Sequence, residues 1–214
     1  MQTSLWPKNG LYVLPLKDKV RQAEGLEVGQ VVVARGCPER EEEAMNLPEM
    51  YNYLVRARRA LWGVLEAVPD EALSRPLLGG ERFHCIKDLV FHIASVEDFW
   101  LHEDIRQMEP VLLRTPSLRH TEGGPEYAGF ALETLLDYWR SVEASTLAYL
   151  ATLTDAELER AISPHDDPER RYTVDGLLWH VMVHEMRHTA QIGVLLRIQG
   201  LKPPALDLLW YLPS

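Results

Sequence analysis

Residues 179–191 read Trp179-His180-Val181-Met182-Val183-His184-Glu185-Met186-Arg187-His188-Thr189-Ala190-Gln191, and they hold three of the eight histidines of this 214-residue chain at steps of four. In an α-helix, side chains four residues apart lie one above the other on the same face. Imidazoles placed in this way can converge on a metal ion. The stretch therefore predicts a helix that carries a metal site.

The same stretch contains His184-Glu185-x-x-His188, the pattern of the zinc peptidases, in which the glutamate is the general base. Those peptidases take a third ligand from further along the chain. After His188 there is no histidine, and the single acidic residue is Asp207. The extended form of the motif needs glycine at position 191 and histidine at position 194, which hold other residues here. A zinc peptidase or hydrolase is therefore the less favoured interpretation.

Apolar periodicity and capping residues predict four long helices from residue 46 onward. Asn46 is the predicted N-cap of the first, with Pro48 in its first turn, and Thr173 is the predicted cap of the last. The predicted segments are 47–67, 85–107, 129–152 and 174–200, with a long loop at 110–125 and an extra turn at 155–161. The expected fold is mainly α, a four-helix bundle over residues 45–214.

Residues 1–44 differ from this pattern and predict a small α/β appendage. Residues 11–16 and 31–34 are expected to be strands, 17–23 a short helix and 37–43 a charged linker. The segment is too short to bury a core alone, so it is expected to pack on the main domain or pair with another chain. It resembles the second half of a small β-barrel domain of unknown function.

The histidines of the last helix are expected to face the bundle interior. At about 100° per residue, His180, His184 and His188 share a side with Leu177, Gln191, Leu195 and Ile198. Three stacked imidazoles cannot satisfy one another in a dry core, whereas a metal ion with water would. On the second helix, His92 is also expected to point inward. The remaining histidines are expected at helix edges or in loops, and the acidic residues Glu97, Asp98, Glu103 and Asp104 are expected to form a solvated face.

The overall charge narrows the classes of partner. The formal net charge is −10, which disfavours nucleic acid as a partner because phosphate neutralisation requires a basic surface.

The first residues lack the apolar core of a signal peptide, and no apolar run is long enough to span a membrane. With two cysteines, Cys37 and Cys85, the composition suits a reducing compartment. The expected location is the cytoplasm, with no membrane partner.

Two motifs resemble those of the DinB/YfiT-like family, and the resemblance covers roughly residues 46–212. The first motif is His92 followed by Ile93-Ala94-Ser95-Val96-Glu97-Asp98-Phe99-Trp100. The second is His184-Glu185-x-x-His188-x-x-Gln191-Ile192. The resemblance implies a divalent metal ion, zinc or nickel, bound by His92, His184 and His188 in a bundle. It also implies a thiol-dependent transferase or isomerase that uses a low-molecular-weight thiol on a small electrophile. The family commonly has His-Arg-Gly-Gln where this chain has His188-Thr189-Ala190-Gln191.

Two further side chains are candidates for catalysis. Gln191 lies one turn beyond His188 and is expected to hydrogen-bond a bound water or substrate, whereas His180 is expected either to shuttle protons or to be inert. Glu185, about 100° round the helix from His184, is expected in a supporting position or on the surface. An alternative function is a metal- or small-molecule-binding bundle without catalysis. The apolar back of the last helix, at Met182, Val183, Met186 and Ala190, predicts a homodimer.

Overall fold

A computed structural model of the protein describes residues 6–8, 11–13, 22, 25, 27, 46–79, 83–118, 127–165 and 167–211. The helices are α1 (Leu47–Glu66), α2 (Asp70–Ser74), α3 (Ile86–Phe99), α4 (Leu132–Leu150), α5 (Asp155–Leu158) and α6 (Val174–Ile198). The strands are β1 (Trp6–Lys8), β2 (Leu11–Val13), β3 (Ala161–Ile162) and β4 (Tyr172–Thr173). Strands β1 and β2 pair antiparallel, as do β3 and β4. The predicted mainly α bundle is confirmed.

The two predicted helix caps are present. The Asn46 side chain accepts a hydrogen bond from the Glu49 backbone N–H at 3.0 Å, and the Glu49 carboxylate accepts one from the Asn46 N–H at 3.2 Å. The Thr173 hydroxyl accepts from the Gly176 N–H at 3.1 Å. These bonds satisfy backbone donors that a helix N-terminus otherwise leaves without partners.

The four long helices form a ring in which each packs against two neighbours. Helix α1 packs on α4 and α6, and α3 packs on the same two helices. Helices α1 and α3 therefore lie on one diagonal of the bundle, and α4 and α6 on the other. The described residues are divided into two compact units, Met1–Ala44 and Met45–Ser214. Within the described ranges, no helix combines the length and the apolar character needed to cross a membrane.

A polar layer crosses the middle of the bundle and separates two apolar clusters. One cluster contains residues 61–65 of α1, 86–94 of α3, 135–142 of α4 and 192–196 of α6. The other contains residues 47–57 of α1, Ile105, Leu150 and residues 174–182 of α6. Between them lie the following buried polar side chains: Arg58, Glu97, Asp98, Glu143, Thr146, His184, Glu185 and His188.

The helix predicted at 85–107 is not one continuous α-helix. Helix α3 ends at Phe99 and continues as a π-helix over Trp100–Ile105. In the N-terminal unit, the strand predicted at 11–16 is present at Leu11–Val13, and its partner strand, Trp6–Lys8, was not predicted. The strand predicted at 31–34 and the linker at 37–43 lie outside the described residues, as does most of the helix predicted at 17–23.

Candidate metal centre

Three histidines from two helices form a compact cluster at one edge of the polar layer. His92 comes from α3, and His184 and His188 come from α6. One ring nitrogen of each lies within 4.8 Å of those of the other two. His92 and His184 approach each other at 3.0 Å between their Nε2 atoms. Nitrogen ligands around a tetrahedral zinc ion lie about 3.4 Å apart, given Zn–N bonds of about 2.0–2.1 Å. The donor set therefore fits a divalent metal ion.

Hydrogen bonds select the tautomer of His188 that a metal ligand requires. The Gln191 side-chain oxygen lies 2.6 Å from Nδ1 of His188, and an amide oxygen can only accept, so Nδ1 carries the proton. On the other ring nitrogen, the Arg187 guanidinium donates to Nε2 at 3.3 Å. Nε2 therefore keeps its lone pair. An acceptor at Nδ1, here Gln191, orients the ring and also raises the metal affinity of the histidine.

Burial and neighbouring charge favour the neutral forms of His184 and His188. Burial, the other histidines and Arg187 lower the pKa of His184 to about 3. Burial also lowers the pKa of His188, and the charge of Arg187 acts in the same direction there. Metal ions bind the unprotonated imidazole, so these shifts favour metal binding over proton binding at neutral pH.

A cavity of about 450 Å³ lies behind α6, but a second one, of about 370 Å³, reaches the histidine cluster. The second cavity begins at His92 and follows α3 and the π-helix toward Glu103. Phe99 and Trp100 supply aromatic walls, and Glu103, Asp104 and His165 supply the polar end. Phe83 packs on the His92 ring from another side, with 4.1 Å between ring centroids. The cavity therefore gives a small molecule access to the cluster at His92, between aromatic and acidic side chains.

A second polar cluster lies in the same layer. Its members are charged and buried from solvent. The Arg58 side chain is fully buried and forms ion pairs with Glu97 at 3.0 Å, Glu143 at 3.1 Å and Glu185 at 2.6 Å. Tyr51 donates a short hydrogen bond to Glu97. Each of the four long helices supplies one member of this set, which we call the Arg58 cluster: Arg58, Glu97, Glu143 and Glu185.

The Arg58 cluster corrects two predictions. Glu97 and Asp98 were expected on a solvated face, yet they are 2% and 0% exposed. Asp98 accepts hydrogen bonds from the Tyr138 hydroxyl and from the backbone N–H groups of residues 111 and 112. Glu185 was expected in a supporting position or on the surface, and because it is buried the surface alternative is wrong. Burial raises the pKa of Glu185, and its ion pair with Arg58 opposes that shift.

The structure brings together some of the predicted site residues and separates others. His92, His184 and His188 meet, and Gln191 contacts His188. His180 is exposed and stays outside the cluster, although its ring centroid lies 6.2 Å from that of His184. Gln191 and Ile198 are exposed too, so the predicted interior stripe is partly wrong. His120 lies outside the described residues.

The rotation of α6 explains this difference. The fully buried positions Val181, Glu185 and Ile192 centre the inward face on a line roughly 60–100° round the helix from His184. His184 and His188 therefore lie at the rim of the buried face, and His180 lies about 40° beyond it. This placement leaves the cluster half-open rather than enclosed.

Sequence reasoning missed the Arg58 cluster, but the sequence contains a signal for it. The buried positions of α1 recur at 47, 51, 54, 58, 61 and 65, the alternating steps of four and three that mark a core-facing stripe. Arg58 occupies one of these positions. A charged residue at a core position requires a buried partner, and this would have indicated acidic residues on the facing helices.

Comparison with known proteins gives the following similarities. A family model described as the DinB family matches residues 42–214, and one described as a domain of unknown function (DUF1905) matches residues 1–35. No curated protein matches the chain in sequence.

Three solved structures are similar in fold. A conserved protein from Enterococcus faecalis has 19% identity and a TM-score of 0.56, covering 72% of this chain and 98% of its own. YfiT from Bacillus subtilis, described as a probable metal-dependent hydrolase with an unusual four-helix bundle topology, has 18% identity and a TM-score of 0.53, covering 80% and 95%. A DinB-like protein from Bacillus cereus has 21% identity and a TM-score of 0.50, covering 75% and 97%.

Proposed function

Because the chain belongs to the DinB family, we propose that His92, His184 and His188 hold a divalent metal ion, zinc or nickel, and that the protein is an enzyme acting there on a small molecule. The observation that carries the proposal is the meeting of three histidine ring nitrogens within 4.8 Å. Three protein ligands are typical of a catalytic metal site, whereas structural zinc sites use four. A bound ion would lower the pKa of a coordinated thiol or water and polarise an electrophile.

The reaction we propose is transfer of a low-molecular-weight thiol to a small electrophile, or an isomerisation that uses such a thiol. The cavity beside His92 is the proposed binding place for the small molecule, with Phe99 and Trp100 as its apolar walls. Gln191 holds the His188 ring in its ligand tautomer. His180 is exposed at the rim and neutral, because burial and the charge of Arg187 lower its pKa, and is the candidate acceptor for the thiol proton.

A peptidase mechanism fits less well, because it needs a free glutamate beside the metal ion. The Glu185 carboxylate pairs with Arg58 through two hydrogen bonds of 2.9 and 2.6 Å and is outside the histidine cluster. It is therefore not free to activate water there. A hydrolase in the wider sense stays a candidate, and its water would have to be activated by another group.

A second candidate function is a dimeric bundle that binds a metal ion or a small molecule without catalysis. One face of α6 favours this alternative. Val183, Val194 and Ile198 are 53%, 51% and 65% exposed, with the exposed Arg187 between them, and a second copy would cover these side chains. Met182, which was predicted on this surface, is instead buried in the bundle core. Light scattering of the purified protein tests the dimer independently of activity.

Elemental analysis of wild-type, His92→Ala and His184→Ala proteins tests the metal site. We expect about one equivalent of metal in the wild type and loss of it from both variants, since each removes one of three ligands. Circular dichroism of the variants controls for folding. Full metal retention in His92→Ala would refute the contribution of α3 to the site.

Turnover assays on the metal-loaded protein separate the candidate functions. A panel of small electrophiles with and without cysteine-like thiols is the first assay, and we expect product formation that depends on the thiol. Casein is the control substrate for a peptidase. Casein hydrolysis, or turnover of an ester without thiol, would overturn the thiol-transfer proposal in favour of a hydrolase.

A further inference from the structure

Arg187 places a positive charge at the histidine cluster, and it has no acidic partner among the described residues. Its guanidinium contacts Nε2 of His188 at 3.3 Å, and in the part of the chain that the structure describes no carboxylate pairs with it. Arg58, Arg140 and Arg160 have carboxylate partners, so the Arg187 guanidinium differs from theirs in being available to a carboxylate from outside the chain.

Arg187 lies on the exposed side of the histidine cluster, where a ligand held at the cluster comes within reach of its guanidinium. On α6 it lies about 60° from His184 and about 20° from His180, on the solvent side of the rim. Its charge acts on His180, His184 and His188. The nitrogen of His188 that it contacts is the one proposed to bind the metal ion. When that nitrogen binds the metal ion, all five N–H donors of the guanidinium are available to another acceptor.

The carboxylates that line the cavity beside His92 also favour the Arg187 side as the place for a negatively charged group. The far end of the cavity beside His92 carries Glu103 and Asp104. These carboxylates repel an anion, whereas Arg187 attracts it. The two sides of the cluster therefore differ in electrostatic sign. A ligand that carries one negative group would orient that group toward Arg187.

We infer that Arg187 binds a carboxylate of the small molecule that acts at the histidine cluster, so that the protein selects carboxylate-bearing thiols over neutral ones. The inference rests on the proposed function and names the class of its thiol. A guanidinium fork matches a carboxylate in bidentate geometry. A single arginine, with no second cation beside it among the described residues, suits a singly charged carboxylate better than a doubly charged phosphate.

Cobalt(II)-loaded protein titrated with mercaptoacetate and, separately, with 2-mercaptoethanol tests the inference. Binding of a thiolate is followed by its charge-transfer absorption, so the readout is affinity and not turnover. Mercaptoacetate can also chelate cobalt through its carboxylate, and this contributes equally in every variant. The decisive quantity is therefore the ratio of the two dissociation constants, compared between wild type and Arg187→Gln.

We expect the preference for mercaptoacetate to fall about tenfold in Arg187→Gln, the magnitude of one lost hydrogen bond to a charged group. The matched control is Arg197→Gln, which makes the same charge change on α6 about 15 Å away along the helix axis. It should keep the wild-type ratio. Cobalt content by elemental analysis should be equal in all three proteins, because Arg187 is not a ligand.

The outcomes separate this inference from the proposed function. An unchanged ratio in Arg187→Gln, or an equal fall in Arg197→Gln, overturns the role of Arg187 and leaves the thiol reaction intact. A cobalt-loaded wild type that binds neither thiol overturns both the role of Arg187 and the thiol-transfer proposal. Failure to bind cobalt overturns the metal site itself.

Discussion

The polar layer of the bundle contains two clusters with opposite properties. In the Arg58 cluster, one buried guanidinium meets three buried carboxylates, and each of the four long helices contributes one member. In the histidine cluster, three imidazoles from two helices meet at the rim of the buried face. The first is charged, and its groups are paired with one another and with Tyr51, Thr146 and Arg59. In the second, the ring nitrogens face one another.

This difference separates a structural cluster from a binding site. Buried charges are retained only where each has a partner, and the members of the Arg58 cluster meet that condition through one another and through side chains that border them. Burial alone would lower the pKa of Arg58, but the charges of Glu185 and Glu97 outweigh it and raise that pKa. In the histidine cluster, burial lowers the pKa of His184, and no carboxylate of the described residues is among the groups that shift it. Neutral nitrogens in this arrangement are complementary to a cation from outside the chain.

The largest effect is expected from removing the arginine of the Arg58 cluster. Arg58→Met leaves its carboxylates without their central counter-charge, and breaking a buried ion pair in this way costs about 3–5 kcal/mol. That is a large part of the roughly 5–15 kcal/mol that stabilises an ordinary domain. Chemical denaturation followed by circular dichroism measures the loss.

Arg59 supplies the control for that experiment. It pairs with the same Glu143 at 2.9 Å, but its side chain is 61% exposed. Arg59→Ala should therefore cost no more than about 1 kcal/mol. Equal losses in the two variants would contradict the structural role assigned to the Arg58 cluster.

A smaller effect, confined to the other cluster, is expected at Gln191. Gln191→Leu removes the acceptor at Nδ1 of His188 and should weaken metal affinity by about 10- to 100-fold with little change in the unfolding of the metal-free protein. Gln191→Glu keeps an acceptor and should retain or strengthen binding. Competition with a chromophoric chelator gives the affinities. If the leucine variant binds metal as tightly as the wild type, Gln191 does not orient His188.

The pH dependence of the metal-free protein distinguishes the clusters further. The pKa of His184 is about 3 in the folded protein and has its ordinary value of about 6.5 when unfolded. Between these values the unfolded state binds more protons. The contribution of His184 to stability is therefore complete above about pH 6.5 and is lost as the pH falls toward 3.

The expected loss attributable to His184 is about 1.4 kcal/mol between about pH 7.5 and about pH 5.5. Unfolding free energies of wild type and His184→Asn, both with excess chelator, measure it as the difference between two slopes. The raised pKa of Glu185 acts in the opposite direction and is common to both proteins, so it cancels. Identical slopes would show that His184 does not have a lowered pKa.

How much the sequence could predict follows from the range of the interactions involved. The bundle depends on local periodicity, and each cap depends on a side chain that bonds the backbone three residues further along the chain. These features were therefore predictable. The pairing of His92 with His184 was predictable from the resemblance to a family. The Arg58 cluster joins residues 39, 85 and 127 positions apart, and no local pattern distinguishes Glu97 from a solvated glutamate. Helix rotation was also beyond reach, because an error of about 80° exchanges Glu185 for His180 in the interior.

His180 gives the smallest expected effect and marks where the histidine cluster ends. Its ring is exposed, packs on Trp100 at 5.5 Å between centroids and is absent from the group of converging nitrogens. His180→Ala should therefore leave the metal content unchanged and alter the unfolding free energy by no more than about 0.5 kcal/mol, as expected for a surface position. Elemental analysis beside His184→Ala, four residues away on the same helix, gives the contrast. Loss of metal from the His180 variant would place a fourth imidazole at the ion, and a four-ligand site would be structural rather than catalytic.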